Sequence, residues 1–405
     1  MHIRFKRWGS SFLFMVALVM WAQPSHALDA SERLSVVLSK PDSARDADAG
    51  AVVVTITNKS SEPLFLPKFR TPLNKVDGHI HGHFMDVKND EGKQAEFIGI
   101  FVDILPVGMS FYTRIEPGQS LSGTIKLSRD YDLSEGGNFK VSYEQPFEDN
   151  VQFDEYGEVH GHSDTVTSNV LDIWVSASLA AAAKKLAFAP TALPDIPELS
   201  CKPEQMAALF TARMSIASWV SKAEGYAKNL YDVEKIQIED NDGRIDTRYR
   251  PRMKPDFKYQ YWFGALDNDQ QTYDLRPSYS SVWDKDDFYP FKQLNAISKR
   301  AANPDFHYSC GCPVESDPLS GAMARTNDPY LVLICDFYFE IDKGQQVQTL
   351  VHELSHFHDE DADSAYDYAY GRQAAHALAT SDRKKALRNA DTIGFFVQDV
   401  VENTQ

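Results

Sequence analysis

Apolar and polar positions alternate in short runs through the first half of the chain and recur at helical spacing in the second. Ala51–Thr57, Pro63–Pro67, Ala95–Phe101, Ser120–Lys126 and Asn138–Tyr143 are rich in β-branched and aromatic residues. Turn formers separate them, among them Asn58–Ser61, Pro117-Gly118 and Gly136-Gly137. Period-two runs broken in this way predict short antiparallel strands, and from about Leu34 to Val175 they predict an immunoglobulin-like sandwich. The text then changes to an alanine-rich stretch, Ala177–Leu186, followed by Pro190, Pro194 and Pro197. This reads as a connector between domains. Beyond it Pro203 suits the first turn of a helix, and Met206, Leu209, Phe210, Ile216, Trp219, Val220 and Tyr226 lie at helical intervals. Tyr330–Cys335 is a compact apolar strand, of the kind that pairs with an extended peptide. Val347, Leu350, Val351, Leu354 and Phe357 form the apolar stripe of another helix.

With 405 residues the chain has room for two or three domains, and 43% hydrophobic with 24% charged residues is the composition of a globular protein. A formal net charge of -17 argues against nucleic acid or an anionic membrane as the main partner. The N-terminus changes the picture more. Arg4, Lys6 and Arg7 precede the apolar run Phe12–Trp21, and Ser25-His26-Ala27 is a small-x-small site. Residues 1–27 are therefore expected to be an export signal. The run falls short of the ~20 residues that span a bilayer, so no membrane anchor is expected and the mature protein should be secreted. Cys201, Cys310, Cys312 and Cys335 then suit two disulfides better than a four-cysteine zinc site.

The helix carrying the last apolar stripe also carries chemistry. His352 and His356 are four residues apart with Glu353 between them, so both imidazoles can reach one metal ion while the carboxylate faces a water. Two imidazoles favour zinc, which in a catalytic site needs a third protein ligand. The position ten residues after His352 is Ala362, not histidine, and no glutamate occurs from Asp361 to Val401. Aspartates and His376 remain. Asp367 is the best placed, opening the helical-looking stretch Asp367–Ala375 with Tyr370 three residues on. Elsewhere, His79, His81 and His83 alternate, with His160 and His162 repeating the spacing, so a second metal site enters consideration beside ordinary surface histidines. The acidic patch Glu239–Gly243 lacks the oxygen ligands of a calcium loop at Ile238 and Tyr249 and reads as a solvated turn.

Ser364-Ala-Tyr-Asp-Tyr-Ala-Tyr-Gly371, following His352-Glu-Leu-Ser-His356, resembles the signature of the aspzincin metallopeptidases. Ser364-Ala365 stands where that signature has Gly-Thr. The likeness extends through Trp262-Phe-Gly264, Ala374-Ala375, Leu378–Thr380, Asn389–Asp391 and the four cysteines. Thr71–Leu73, Glu116–Ser120 and Tyr131–Ser134 resemble the β-rich pro-region of bacterial and fungal relatives. The resemblance implies a multidomain protein: a β-sandwich pro-domain over 28–176, a connector with a processing site over 177–199, and a mainly helical α+β catalytic domain of the zincin type over 200–405. It implies one zinc ion held by His352, His356 and Asp367, Glu353 as the catalytic base, Tyr370 as an oxyanion donor, and bridges Cys201–Cys310 and Cys312–Cys335.

The expected activity is a zinc-dependent endopeptidase that acts on protein or peptide substrates and is held inactive by its own pro-domain. Lys-specific relatives receive the lysine after the scissile bond with two carboxylates. Asp391 matches the first, whereas Gly394 stands at the second, so cleavage before Lys is expected with weaker discrimination. Lys75 could mimic substrate in that pocket, and Lys184-Lys185 could be a processing site. A secreted zinc-binding adhesion protein and a zinc hydrolase of non-peptide amides are the alternatives.

Overall fold

Alternation in the first half becomes antiparallel sheet. The computed structural model describes residues 29–71, 74–75, 78–104, 109–153, 159–188, 201–239, 245–253, 256–265, 289–303, 307–312, 319–325, 331–358 and 363–402. The export signal, most of the acidic patch and residues 189–200 of the connector lie outside them. Strands β1 (Leu34–Ser39), β2 (Ala51–Asn58) and β7 (Ser120–Lys126) form one sheet with β2 in the middle. Val52, Val54 and Ile56 face inward, because successive side chains of a strand point to opposite faces.

A second sheet is built on β8 (Gly137–Phe153), whose first part pairs with β4 (Met85–Asn89) and β10 (Leu171–Val175). Its later part pairs with β9 (Val159–Thr167) and, at Glu148, with β3 (Leu64–Pro67), which also pairs with β6 (Tyr112–Ile115). Side chains from both sheets share one apolar core that includes Val54, Ile56, Val87, Val141, Tyr143 and Phe147. Mixed sheet and helix with a β-rich first half is what the pattern predicted. Kinship with immunoglobulin sandwiches stays an expectation.

The second half is held by helices α2 (Pro203–Asn229), α3 (Phe257–Phe263), α4 (Tyr289–Ala302), α5 (Lys343–Ser355), α6 (Arg372–Ser381) and α7 (Ala390–Glu402) around a separate core. Asp342 opens α5 by accepting from the Gln345 amide at 2.9 Å, with Gln345 completing a capping box. Residues 346–355 of α5 are all buried, so this helix is wrapped rather than half-exposed. The bridges Cys201–Cys310 and Cys312–Cys335 are formed, the pairing the resemblance implied.

Between the halves the structure departs from the sequence reading. Strand β5 (Ile100–Ile104) joins neither N-terminal sheet. It pairs antiparallel with β14 (Ser320–Arg325) as the outer strand of a four-stranded sheet whose other members are β13 (His307–Cys310) and β15 (Leu331–Ile334). The strand read over 95–101 is thus displaced to 100–104, because Phe97 turns into the N-terminal core while Ile100, Val102 and Ile104 join Met323, Leu333 and Tyr370 in a third, shared core. Nor does β15 receive an extended segment: it is flanked by β13 and β14, and the other side of β14 is taken by β5.

Other stretches also correct the expectations. The connector begins with helix α1 (Ala177–Phe188), which buries Ala180 in the N-terminal core and pairs Lys184 with Asp132 at 2.6 Å. Lys184-Lys185 therefore lies on a helix. Lys75 donates to the Thr124 carbonyl within the N-terminal half. The alternating histidines do not share a strand face. His79 bonds Asp130 at 2.7 Å, His83 packs on Tyr366 and Tyr131, and His162 lies on β9 near Asp149. Among the described residues they do not form a metal-holding group.

Candidate metal centre

His352 and His356, one turn apart at the end of α5, face the loop 365–371. This loop is not the helix its sequence suggested: α6 starts only at Arg372, after Gly371 in a positive-φ conformation (φ 79°). Asn389 competes for the backbone. Its Oδ1 accepts from the Tyr368 and Ala369 amides at 2.8 and 2.9 Å, and its Nδ2 donates to the Ala369 carbonyl at 3.1 Å. An amide group buried beside the loop thus sets the position of Asp367, and Tyr370 approaches through loop geometry rather than helix periodicity.

Asp367 Oδ1 lies 3.2 Å from His352 Nε2 and 3.4 Å from His356 Nε2. These atoms are fully buried and none has a hydrogen-bond partner, nor has Asp367 Oδ2. Buried polar atoms converging without partners are costly unless a cation joins them. Two imidazoles and a carboxylate suit zinc. Each ring is also oriented from behind. His352 Nδ1 meets Asp391 Oδ1 at 2.7 Å, and His356 Nδ1 meets the Ala365 carbonyl at 3.1 Å, leaving both Nε2 atoms to face Asp367. The residues present fit a metal ion.

Electrostatics divide the two imidazoles. Burial brings His356 down to about 4, the neutral form in which an imidazole ligates, whereas at His352 burial is outweighed by Asp103 and Asp367, which hold the ring well above its ordinary value. Burial likewise opposes ionisation of Asp367, but His356 and His352 outweigh it and hold the carboxyl below its ordinary value. Glu353 is pushed well above the usual glutamate range by burial, with Asp103 and Asp367 adding to the effect. Tyr370, 4% exposed, is raised by burial and by Asp367, so its unpartnered hydroxyl stays protonated as a donor.

Asp391, which the sequence reading assigns to a basic-residue pocket, stands behind the first histidine: Oδ1 is taken by His352 Nδ1 and by Gln348 Nε2 at 3.2 Å, while Oδ2 accepts from the Gly371 amide. It is 2% exposed. Gln348 also crowds Gly394: a Cβ there would lie 2.8 Å from Gln348 Nε2 and 3.2 Å from its carbonyl, so a side chain at this position must push Gln348 aside.

Sequence reasoning missed what the N-terminal half contributes. The Asp103 amide donates to Glu353 Oε1 at 3.1 Å, and the Phe101 ring stacks on His356 at 4.0 Å and 4°. Arg70 donates to the Asp367 and Tyr368 carbonyls at 3.3 and 3.2 Å, and Phe69 packs edge-on against Tyr370. The signal was an aspartate inside the apolar run Ile100-Phe-Val-Asp-Ile104, a charge the run has no reason to bury unless it meets polar groups.

A helix carrying His-Glu-x-x-His, an aspartate closing the triangle and an antiparallel edge strand beside it define a zinc metalloendopeptidase. Residues 253–398 match the aspzincin family model, described as lysine-specific metallo-endopeptidase. A peptidyl-Lys metalloendopeptidase of Grifola frondosa is 27% identical, covering 95% of this chain and 97% of its own. An extracellular protease of Aeromonas hydrophila is 24% identical over 93% of this chain and 94% of its own. A peptidyl-Lys metalloendopeptidase of Armillaria mellea is 23% identical, with 96% and 97% covered. Among solved structures, a zinc peptidase from Grifola frondosa superposes with a TM-score of 0.35 at 22% identity, over 50% of this chain and 99% of its own. Among the described residues, no helix is long and apolar enough to cross a membrane.

Proposed function

We propose that the protein is a secreted zinc endopeptidase made as a zymogen, with residues 28–176 as its inhibitory pro-domain, and that it cleaves on the N-terminal side of basic residues, lysine above all. The carrying observation is the convergence of His352 Nε2, His356 Nε2 and Asp367 on one point beside Glu353. Zinc held by these three would supply Lewis acidity, polarising the scissile carbonyl and lowering the pKa of water. Glu353, one residue from His352 on α5, takes the proton from the attacking water and delivers it to the leaving amine. Tyr370 donates to the oxygen on which negative charge develops; loss of such a donor costs about a hundredfold or more in rate. The edge of β14 binds the substrate backbone antiparallel, whatever its sequence.

Inhibition has direct support in β5, which occupies that edge and engages Glu353 through the Asp103 amide. Lysine preference rests on the relatives' names and on the negative field of Asp391. With Gly394 where a second carboxylate would stand, arginine is admitted too. The test is to incubate the processed protein with a denatured protein, with and without chelator, and map the cut sites by mass spectrometry. Chelator-sensitive cuts before Lys, with fewer before Arg, are expected. Cuts without basic preference sink the specificity, and chelator-resistant cuts sink the zinc mechanism.

A further inference from the structure

His81 is the most unusual side chain that the N-terminal half brings to the catalytic half. It is 1% exposed, yet neither ring nitrogen has a hydrogen-bond partner, and the carboxylate whose charge it senses is Asp367. A buried imidazole with both nitrogens idle calls for an explanation. Its backbone is fixed on Ile100. His81 bridges Ile100 in parallel register, and the next amide, Gly82, donates to the Ile100 carbonyl at 2.8 Å. Ile100 opens β5, which is in turn zipped to β14 and to Glu353. Gly82 rests on the candidate metal site itself: a Cβ there would meet Asp367 Cβ at 3.5 Å, Asp367 Oδ2 at 3.6 Å and the Tyr370 hydroxyl at 3.8 Å. Its φ of 92° and this close approach both suit a residue without a side chain.

Two imidazoles and a carboxylate leave a catalytic zinc one position short of a closed tetrahedral shell. That open position is what lets the ion reach water and substrate. We propose that His81 closes it in the unprocessed chain: one of its ring nitrogens becomes the fourth ligand beside His352, His356 and Asp367, converting a catalytic coordination shell into a structural one. The inference rests on the zinc-site reading above and adds how the site is kept silent. His81 is not within the 4.8 Å set formed by the other three, so ligation takes a turn of its side chain. With no hydrogen bonds to its ring, that turn breaks none. Release of the N-terminal half would withdraw the fourth ligand and the β5 strand together.

The full-length chain carrying Glu353→Ala, which cannot process itself, is loaded with one equivalent of zinc and its coordination is read by zinc X-ray absorption. Three imidazoles are expected, falling to two in the additional His81→Ala variant, from which a chelator should remove zinc roughly tenfold faster or more. Two imidazoles in the parent overturn the proposal by themselves, whether or not the His81 variant folds. Failure to hold zinc, or imidazole counts unaffected by His356→Ala, overturns the metal site and is distinguishable from the first failure.

Discussion

The Asp103 amide donates to Glu353 Oε1 at 3.1 Å across 250 residues of sequence, so the carboxylate between the two histidines is engaged by the backbone of the other half. Phe101, two residues earlier and fully buried, holds that strand down by stacking on His356. Truncating a buried phenylalanine costs about 3–5 kcal/mol, and here the loss falls on the docking of β5. Unprocessed Phe101→Ala chain is expected to hydrolyse a fluorogenic lysyl peptide at least roughly tenfold faster than the unprocessed parent. An equally inert variant that still folds would show that β5 is not what occludes the site.

The place of Asp391 adds a role that the sequence reading did not give it. As the carboxylate behind His352 it orients the ring, and removing such a partner weakens metal affinity about 10- to 100-fold. Asp391→Asn should therefore lose zinc to a competing chelator over that range. Unchanged zinc affinity would show that the His352 ring is held without this carboxylate.

How much of this was legible in sequence follows from what each signal depends on. His352, Glu353 and His356 are local to one helix, so spacing alone places them. Asp367 and Tyr370 were reached through a residue pattern, but the helix assigned to them was wrong: Asn389, more than twenty positions on in the case of Tyr368, captures the loop amides. The route of β5 could not be read from alternation, because Ile100–Ile104 is buried on both faces and suits either core. Gln348, too, looks like an ordinary helix residue until Gly394 is seen packed against it.

Glu148 gives the fold a pH dependence remote from the metal. Its Oε1 accepts from the Tyr112 hydroxyl at 2.9 Å while Oε2 is buried without a partner. Burial pushes its pKa above the ordinary 4.5, and the Tyr112 bond only partly offsets this. Folding therefore favours the protonated form. That contribution is whole below 4.5 and is lost as pH rises through the raised folded value. Glu148→Gln keeps an acceptor for Tyr112 and removes the titration. Its Tm should exceed the parent's at pH 7 and match it at pH 4; equal values at both would show that the carboxyl carries no such cost.

Gly394 and Gln348 set the limit on discrimination at the substrate pocket. Glutamate at 394 alone must displace Gln348, whose amide and carbonyl lie 2.8 and 3.2 Å from the new Cβ. Overpacking of this kind costs about 1–3 kcal/mol, so Gly394→Glu should lower Tm without a clean gain in selectivity. Shortening the neighbour in the double variant Gly394→Glu/Gln348→Ala clears the side chain, though not the carbonyl, and lets a second carboxylate stand near Asp391. The two-carboxylate pocket should then discriminate lysine from arginine more sharply, because a compact ammonium is met by two point charges whereas the planar guanidinium needs a fork. The ratio of kcat/KM for matched lysyl and arginyl peptides measures it. A rise in that ratio in the double variant, absent from Gln348→Ala alone, is the expected result, and an unchanged ratio would place the lysine pocket elsewhere on the β14 edge.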